Sequence, residues 1–524
     1  MKDRTNKIVF LGKDNTLIET CIDFQLKDLP ESLDSSHGTL NLDKVSQKRA
    51  IYHSLLRIFL EIIDSETKAL LADSEWDEHK DEGLFLADNS GRLKFGNFIG
   101  VVHKRIELKE NQFNNNNSQK TYVFDITLQI NSRFDSPRKP FFLATLLMHG
   151  MNHIFNSDEV SANSSGYYDF LLLVQFKRKL QMALRKGYFK KYHEFLGNDS
   201  HLKGSIDIDR HIKLNEGLNN GRIAYKYREN STINYLNMLI LSSYRALKRD
   251  YPGLVRSAFD SDRDIKKALR QLDVQMPEGP YSNKVLISKN IMPVSHPYYS
   301  EYEAVREISL RILKKKGMSF EGDDDKADGL LYYIPSLWEE YLVGVLSTND
   351  YELKEQFRLK VFEYYGDSDG STLIKPDFVF FRKDDMNPFM ILDAKFKPRW
   401  GDRIKGRKSL GRFSKDYNDS LMPDYDECIR NMNAINAHAT GVIYPTNLYV
   451  QLDDHYTQNS LHNISSYNRY DHFYTFPIFV PESEEYDSYD DWYKTFVESL
   501  LPIGEFIRNQ IVFELDRSKS VGSL

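Results

Sequence analysis

Cysteine is nearly missing from this sequence: Cys21 and Cys428 are the only two among 524 residues. Two thiols so far apart exclude a disulfide-stapled scaffold and a cysteine-rich zinc module, and they fit a reducing cytoplasm. Long apolar runs are missing too. The longest, PFFLATLLMHGMNHIF at 140–155, is short for a bilayer span and contains two histidines and an asparagine. It predicts a buried helix, and no membrane association is expected. The opening residues, MKDRTNKIVFLGKD, lack the apolar core of a secretory signal, so a cytoplasmic protein is expected. Positive charge is not in excess: the formal net charge is −6. That argues against a general polyanion coat and confines nucleic-acid contact to local basic patches. Neither a P-loop nor a GxGxxG fingerprint occurs, so any nucleotide energy must come from another subunit. The pair of histidines in HGMNH, 149–153, lacks the glutamate of the zinc-protease motif.

Length and pattern predict an α+β protein of several domains. Residues 1–165 read as a β-rich region. Two strand-like runs, GRLKFGNFIGVVHKRIEL and TYVFDITLQINSRF, flank the polar stretch KENQFNNNNSQK, which predicts a long hairpin with a solvent-exposed tip near 109–120. Residues 166–325 are mainly helical. They include STINYLNMLILSSYRALKRDY, with Ser231 as its expected N-cap, and GSIDIDRHIKLN as a short strand between helices. The acidic stretch EGDDDKADG marks the next boundary. Residues 326–524 alternate helix and strand as a mixed α/β domain.

The chemistry concentrates in IKPDFVFFRKDDMNPFMILDAKFK, 374–397. Asp393 and Lys395 are two apart on one strand and share a face, while Asp377 opens the preceding strand. An isolated DxK is usually an exposed sheet edge. Here the charged pair closes the apolar run FMIL, where burial is costly without a purpose. Two carboxylates brought together repel, and a divalent cation relieves them; Mg²⁺ takes one or two carboxylates, waters and a phosphate oxygen. A neighbouring lysine can orient or deprotonate a water and stabilise charge on a phosphorane. The set is therefore suited to phosphodiester hydrolysis assisted by Mg²⁺ or Mn²⁺. In SLWEEYL, Leu337, Trp338 and Tyr341 form the expected buried face, which leaves Glu339 or Glu340 to turn inward as a third acid. From Lys395 to Lys415 there are nine Lys or Arg and one acid, interspersed with Trp400 and Phe413. Lys397, Arg399, Arg403, Lys405, Arg407, Lys408 and Arg412 are the candidates to hold a DNA backbone.

The pair of segments KPDFVF and ILDAKFK resembles the PD-(D/E)xK nuclease superfamily. More narrowly, the chain resembles the McrC family, the nuclease subunits of McrBC and LlaJI-type restriction systems. Segments that fit in order are DITLQINSRFDSPRKPFFLATLLMH, YYDFLLLVQFKRKLQMALRKGYFKKYHEF with LKGSIDIDRHIK, YKYRENSTINYLNMLIL with its Glu229, Asn234 and Asn237, and SLWEEYL. Together they cover most of residues 95–450. The resemblance implies a restriction-endonuclease-like C-terminal domain with Asp377, Asp393, Lys395 and Glu339 as catalytic residues, the three acids holding the metal. It implies a hexameric, McrB-like AAA+ NTPase partner, engaged by an N-terminal projection for which the Asn-rich tip is the candidate. Many relatives carry a DlYQ helix whose glutamine faces the site. No glutamine stands in PDYDECIRNMN, so Glu427 or Arg430 takes its place. The expectation is a metal-dependent DNA endonuclease subunit of an antiphage complex. The competing readings are a non-catalytic subunit that activates an NTPase and a metal-dependent RNA nuclease.

Overall fold

The computed structural model describes residues 5–521 except 36–37, 43, 65–82, 88–91, 115–117, 149–163, 216–220, 261, 277–281, 316–326, 363–371, 399, 401–414, 450–460 and 464–471. The chain divides into two compact units, one built from residues 1–149 together with 325–524 and the other from 150–324. The two outer thirds, read from the sequence as separate domains, thus share one unit.

A strand exchange explains the sharing. In the first unit β1 (Thr5–Lys13), β2 (Phe98–Lys109), β3 (Thr121–Asn131) and β4 (Asp328–Tyr333) form a sheet in the order β1-β3-β2-β4. The predicted hairpin is β2–β3, antiparallel from Gly100↔Ile130 to Lys109↔Thr121. β4 comes from beyond residue 325 and closes the sheet against β2, from Asp328↔His103 to Tyr333↔Phe98. Glycines permit the close crossing: a Cβ on Gly100, at φ +141°, would lie 2.0 Å from the Leu330 carbonyl oxygen, and one on Gly329 would lie 2.4 Å from that of Val101. Helices α1 (Ile18–Gln25) and α2 (Val45–Asp64) cover β1 and its neighbours. α2 buries Ile51, Leu55, Leu56, Phe59 and Ile63 along one stripe, the spacing of a helix with a single apolar face. The apolar run at 140–155 yields α3 (Phe141–Leu147), buried throughout as expected; its remainder from 149, with the HGMNH histidines, lies outside the described residues.

Directly after β4 the chain enters α4 (Ile334–Leu346), with Pro335 in its first turn, where the missing N–H costs nothing. Leu337, Trp338 and Tyr341 are its buried face, as the sequence predicts. A six-stranded sheet follows, ordered β5-β6-β7-β8-β10-β9. Its strands are β5 (Glu352–Glu355), β6 (Phe378–Phe381), β7 (Pro388–Ala394), β8 (Ala439–Thr446), β9 (Leu461–Asn463) and β10 (His472–Phe479). β6 and β7 are antiparallel, whereas β8 runs parallel to both β7 and β10. Parallel neighbours need a crossover, and α5 (Lys415–Ile435) supplies it between β7 and β8. α5 packs Met432 and Ile435 on Val379, Phe381 and Ile391, and α6 (Tyr489–Val521) packs against β7 and β10. With helices available on both faces, the strands read as apolar runs rather than alternating ones.

The second unit is mainly helical. Its helix Glu301–Lys315 packs on Ser164–Leu184 and Tyr235–Asp250, and a three-stranded sheet joins Lys191–Asp199, Ile223–Ser231 and Ser205–Ile206. GSIDIDRHIKLN gives the short strand Ser205–Ile206 and then a helix, Ile208–Asn215. The helix at 235 is capped by Asn234, whose side chain accepts from Asn237 N–H at 3.0 Å. Ser231, the expected cap, lies too early; its hydroxyl accepts from Ile233 N–H instead. Asn237 in turn donates to the Phe189 and Thr232 carbonyls, at 2.8 and 2.7 Å.

Candidate active site

From Ile391 on, β7 and the residue after it turn alternate side chains to α5. Ile391 packs on Met432, Asp393 meets Cys428 and Lys395 meets Glu427. That is the shared face predicted from strand alternation. Asp377 enters from the start of β6, whose register with β7 sets Phe378 opposite Leu392. The two aspartates then pin one another. Asp393 Oδ1 accepts from Asp377 N–H at 3.3 Å, and Asp377 Oδ2 accepts from Ala394 N–H at 2.7 Å. Asp393 is 3% exposed. Burial, reinforced by Asp393 and then Glu339, pushes the Asp377 carboxyl well above the usual range, against the pull of Lys395 and the Ala394 N–H.

Lys395 Nζ stands 3.0 Å from Asp393 Oδ2 and 3.0 Å from Glu427 Oε2. Burial disfavours its charge, but Asp393, Glu427 and Asp377 outweigh it and hold the ammonium above the ordinary lysine range. Of Glu427 and Arg430, Glu427 is the one that reaches Lys395, while Arg430 is exposed. Cys428, one residue on, donates its thiol to Asp393 Oδ2 at 3.6 Å, and burial first, then Asp393, keeps that thiol protonated.

Of the two glutamates, Glu339 is the one at the site. It raises the Asp377 carboxyl, and its Oε2 accepts from Gln356 Nε2 at 2.6 Å. Glu340 is exposed and acts on Glu355 instead. No motif or spacing in the sequence marks Gln356. It sits in the left-handed region at φ +49°, and its N–H donates to the Asp377 carbonyl at 2.9 Å, so it links Glu339 to Asp377.

The basic stretch is only partly described. Lys397 is exposed and paired with the buried Asp424 at 2.6 Å, and Trp400 is itself buried, donating to the other oxygen of Asp424 at 2.9 Å. Arg399, Arg403, Lys405, Arg407, Lys408 and Arg412 lie outside the described residues. Among the described residues no three His, Cys, Asp or Glu side chains are grouped to hold a metal ion. Two carboxylates do converge, and two hard oxygen donors with water and phosphate completing the shell are what Mg²⁺ takes. The residues present therefore fit that ion, with Glu339 at the margin.

A mixed α/β protein in which two neighbouring strands bring a carboxylate pair together beside a lysine is the class this fold and site define. Residues 93–415, well over half of the chain, match the McrBC 5-methylcytosine restriction system component family, and the chain belongs to that family. No curated protein matches. A refined half-complex of Thermococcus gammatolerans McrB AAA+ hexamers with bound McrC includes a chain 16% identical, covering 94% of this chain and 99% of that one, at TM-score 0.41. A cryo-EM structure of the Thermococcus gammatolerans McrBC complex includes a chain 15% identical, covering 66% of this chain and 90% of that one, at TM-score 0.25. No helix among the described residues is long and apolar enough to cross a membrane.

Proposed function

We propose that this chain is the nuclease subunit of a McrBC-like restriction complex, a PD-(D/E)xK endonuclease that hydrolyses DNA phosphodiester bonds with Mg²⁺ or Mn²⁺. The observation that carries the reading is the mutual pinning of Asp377 and Asp393 with Lys395 at 3.0 Å. Keeping two acids in mutual repulsion is costly unless a cation is to sit between them. Asp377 and Asp393, with Glu339 beside them, would hold that cation, which when bound polarises the phosphate and acidifies a water. Lys395, held within 3.0 Å of Asp393 and Glu427, would donate to a non-bridging phosphate oxygen and stabilise developing charge. Glu427 and Asp393 fix where that ammonium points. The basic segment 397–412 supports backbone contact by charge.

Family membership and the absence of a P-loop support a partner NTPase of the AAA+ class, McrB-like and hexameric. The β2–β3 tip is the proposed contact with it. Substituting Asp393→Ala tests the hydrolytic reading in the full chain with its partner. Cleavage of labelled duplex DNA should fall by about three orders of magnitude or more while partner binding persists. Undiminished cutting by that variant would sink the assignment, and cutting of matched RNA but not DNA would redirect it.

A further inference from the structure

We propose that Arg133 is a positioning residue for Lys395, acting through Phe396; the inference rests on the reading of Asp377, Asp393 and Lys395 as a hydrolytic site. Lys395 is the last residue this strand ties into the sheet, its N–H donating to the Ile443 carbonyl at 2.9 Å. Phe396 is the first to leave it, and whatever holds Phe396 sets the direction of the chain at the lysine. Arg133 does so twice. Its Nη1 donates to the Phe396 carbonyl at 3.4 Å, and its guanidinium lies 4.2 Å over the Phe396 ring. Arg133 follows β3 by two residues and is itself locked. Asp14, which is fully buried, accepts from its Nη1 at 3.0 Å and from its backbone N–H at 2.5 Å.

The same ring anchors the second arm of the site. Phe396 packs on Phe142 and Phe134, and on Trp338 at 6.5 Å, and Trp338 immediately precedes Glu339. One cluster thus sets both the residue after Lys395 and the residue before Glu339. An apolar side chain would fill this place at lower cost than a buried ion pair, because taking Asp14 and Arg133 out of water is unfavourable. What the arginine adds is geometry: a planar group that stacks on a ring and donates in that plane at the same time, which a lysine cannot do.

The test uses the full chain with its NTPase partner, labelled duplex DNA and Mn²⁺. Arg133→Lys keeps the charge beside Asp14 and loses the stack; Phe396→Leu keeps apolar bulk and loses the ring face. Both should retain the wild-type melting temperature and DNA KM while kcat falls about 10- to 100-fold. Arg133→Ala strands Asp14 and risks misfolding; where it folds, free guanidinium should restore part of its kcat. A wild-type kcat in Arg133→Lys, or a loss matched by an equivalent loss of melting temperature, overturns the inference. Asp393→Ala separates the two levels. If it cuts like wild type, the hydrolytic reading itself fails. If it is dead while Arg133→Lys is unimpaired, only the positioning role fails.

Discussion

Glu339 and Glu340 are neighbours with opposite surroundings. Glu339 bonds Gln356 and bears on Asp377, whereas Glu340 points to solvent near Glu355. Glu339→Gln should lower the cleavage rate about 100-fold, and Glu340→Gln less than about threefold, in single-turnover assays at saturating DNA. A second buried acid gives a pH prediction. Asp135 is 1% exposed and caps α3 through Phe142 and Leu143 N–H. Burial pushes its carboxyl up to about 7, against those two bonds, from an ordinary 3.8. An acid with a raised folded pKa binds its proton more tightly when folded. Its contribution is therefore most favourable below about pH 4 and is lost as pH rises to about 7. The whole window is worth at most about 4 kcal/mol. Urea midpoints at pH 5 and pH 8 should differ less in Asp135→Asn than in wild type, and equal differences would refute the shift.

At the scale of elements, the α5 side of the site is a polar stripe. Asp424, Glu427 and Cys428 stand at helical spacing and meet Lys397, Lys395 and Asp393 in turn. The strand half of this arrangement was legible beforehand, because alternation alone places Asp393 and Lys395 on one face and an apolar run marks where burial makes them costly. Glu339 was legible down to a choice of two, since the apolar face of α4 constrains its neighbours. Gln356 was not legible: its role needs a left-handed backbone and partners 17 and 21 residues away, and no local pattern announces either. Asp424 and Cys428 repeat at helical intervals, yet a polar stripe ordinarily faces water, so periodicity alone reads it as solvated. Arg133 meets Phe396 across 263 residues, beyond the reach of any spacing rule. The β2–β4 crossing makes its own prediction. Gly100→Ala puts a methyl 2.0 Å from the Leu330 carbonyl oxygen at a φ that alanine avoids. It should cost about 3 kcal/mol or more, read as a lower melting temperature of the full chain. An unchanged melting temperature would show that the crossing relaxes freely.

At the scale of the molecule, residues 150–324 are an insertion into a unit whose two halves, 1–149 and 325–524, share a sheet. The boundary that composition suggests at 325 thus coincides with the end of that insertion. A fragment of residues 326–524 made alone would carry β4 without β2 and expose Leu330, Leu331 and Tyr332, all buried in the full chain. It should be markedly less soluble than the full chain, and co-expression with residues 1–149 should recover it; equal solubility alone would contradict the shared sheet.

The strand exchange also sets a clock on synthesis. β2 ends at Lys109, and its partner β4 begins at Asp328. At about 5–20 residues per second, the ribosome needs about 10–45 s to deliver that partner after β2 has emerged. For that interval β2 is an uncovered edge, with Ile99, Val101 and Val102 beside an unpaired row of backbone donors and acceptors, open to any other strand in reach. The intervening residues 150–324 have their own internal packing and can fold while the edge waits. The chain must therefore keep its first sheet unfinished until its middle third is made, and that edge is paired before Asp377, Asp393 and Lys395 leave the ribosome.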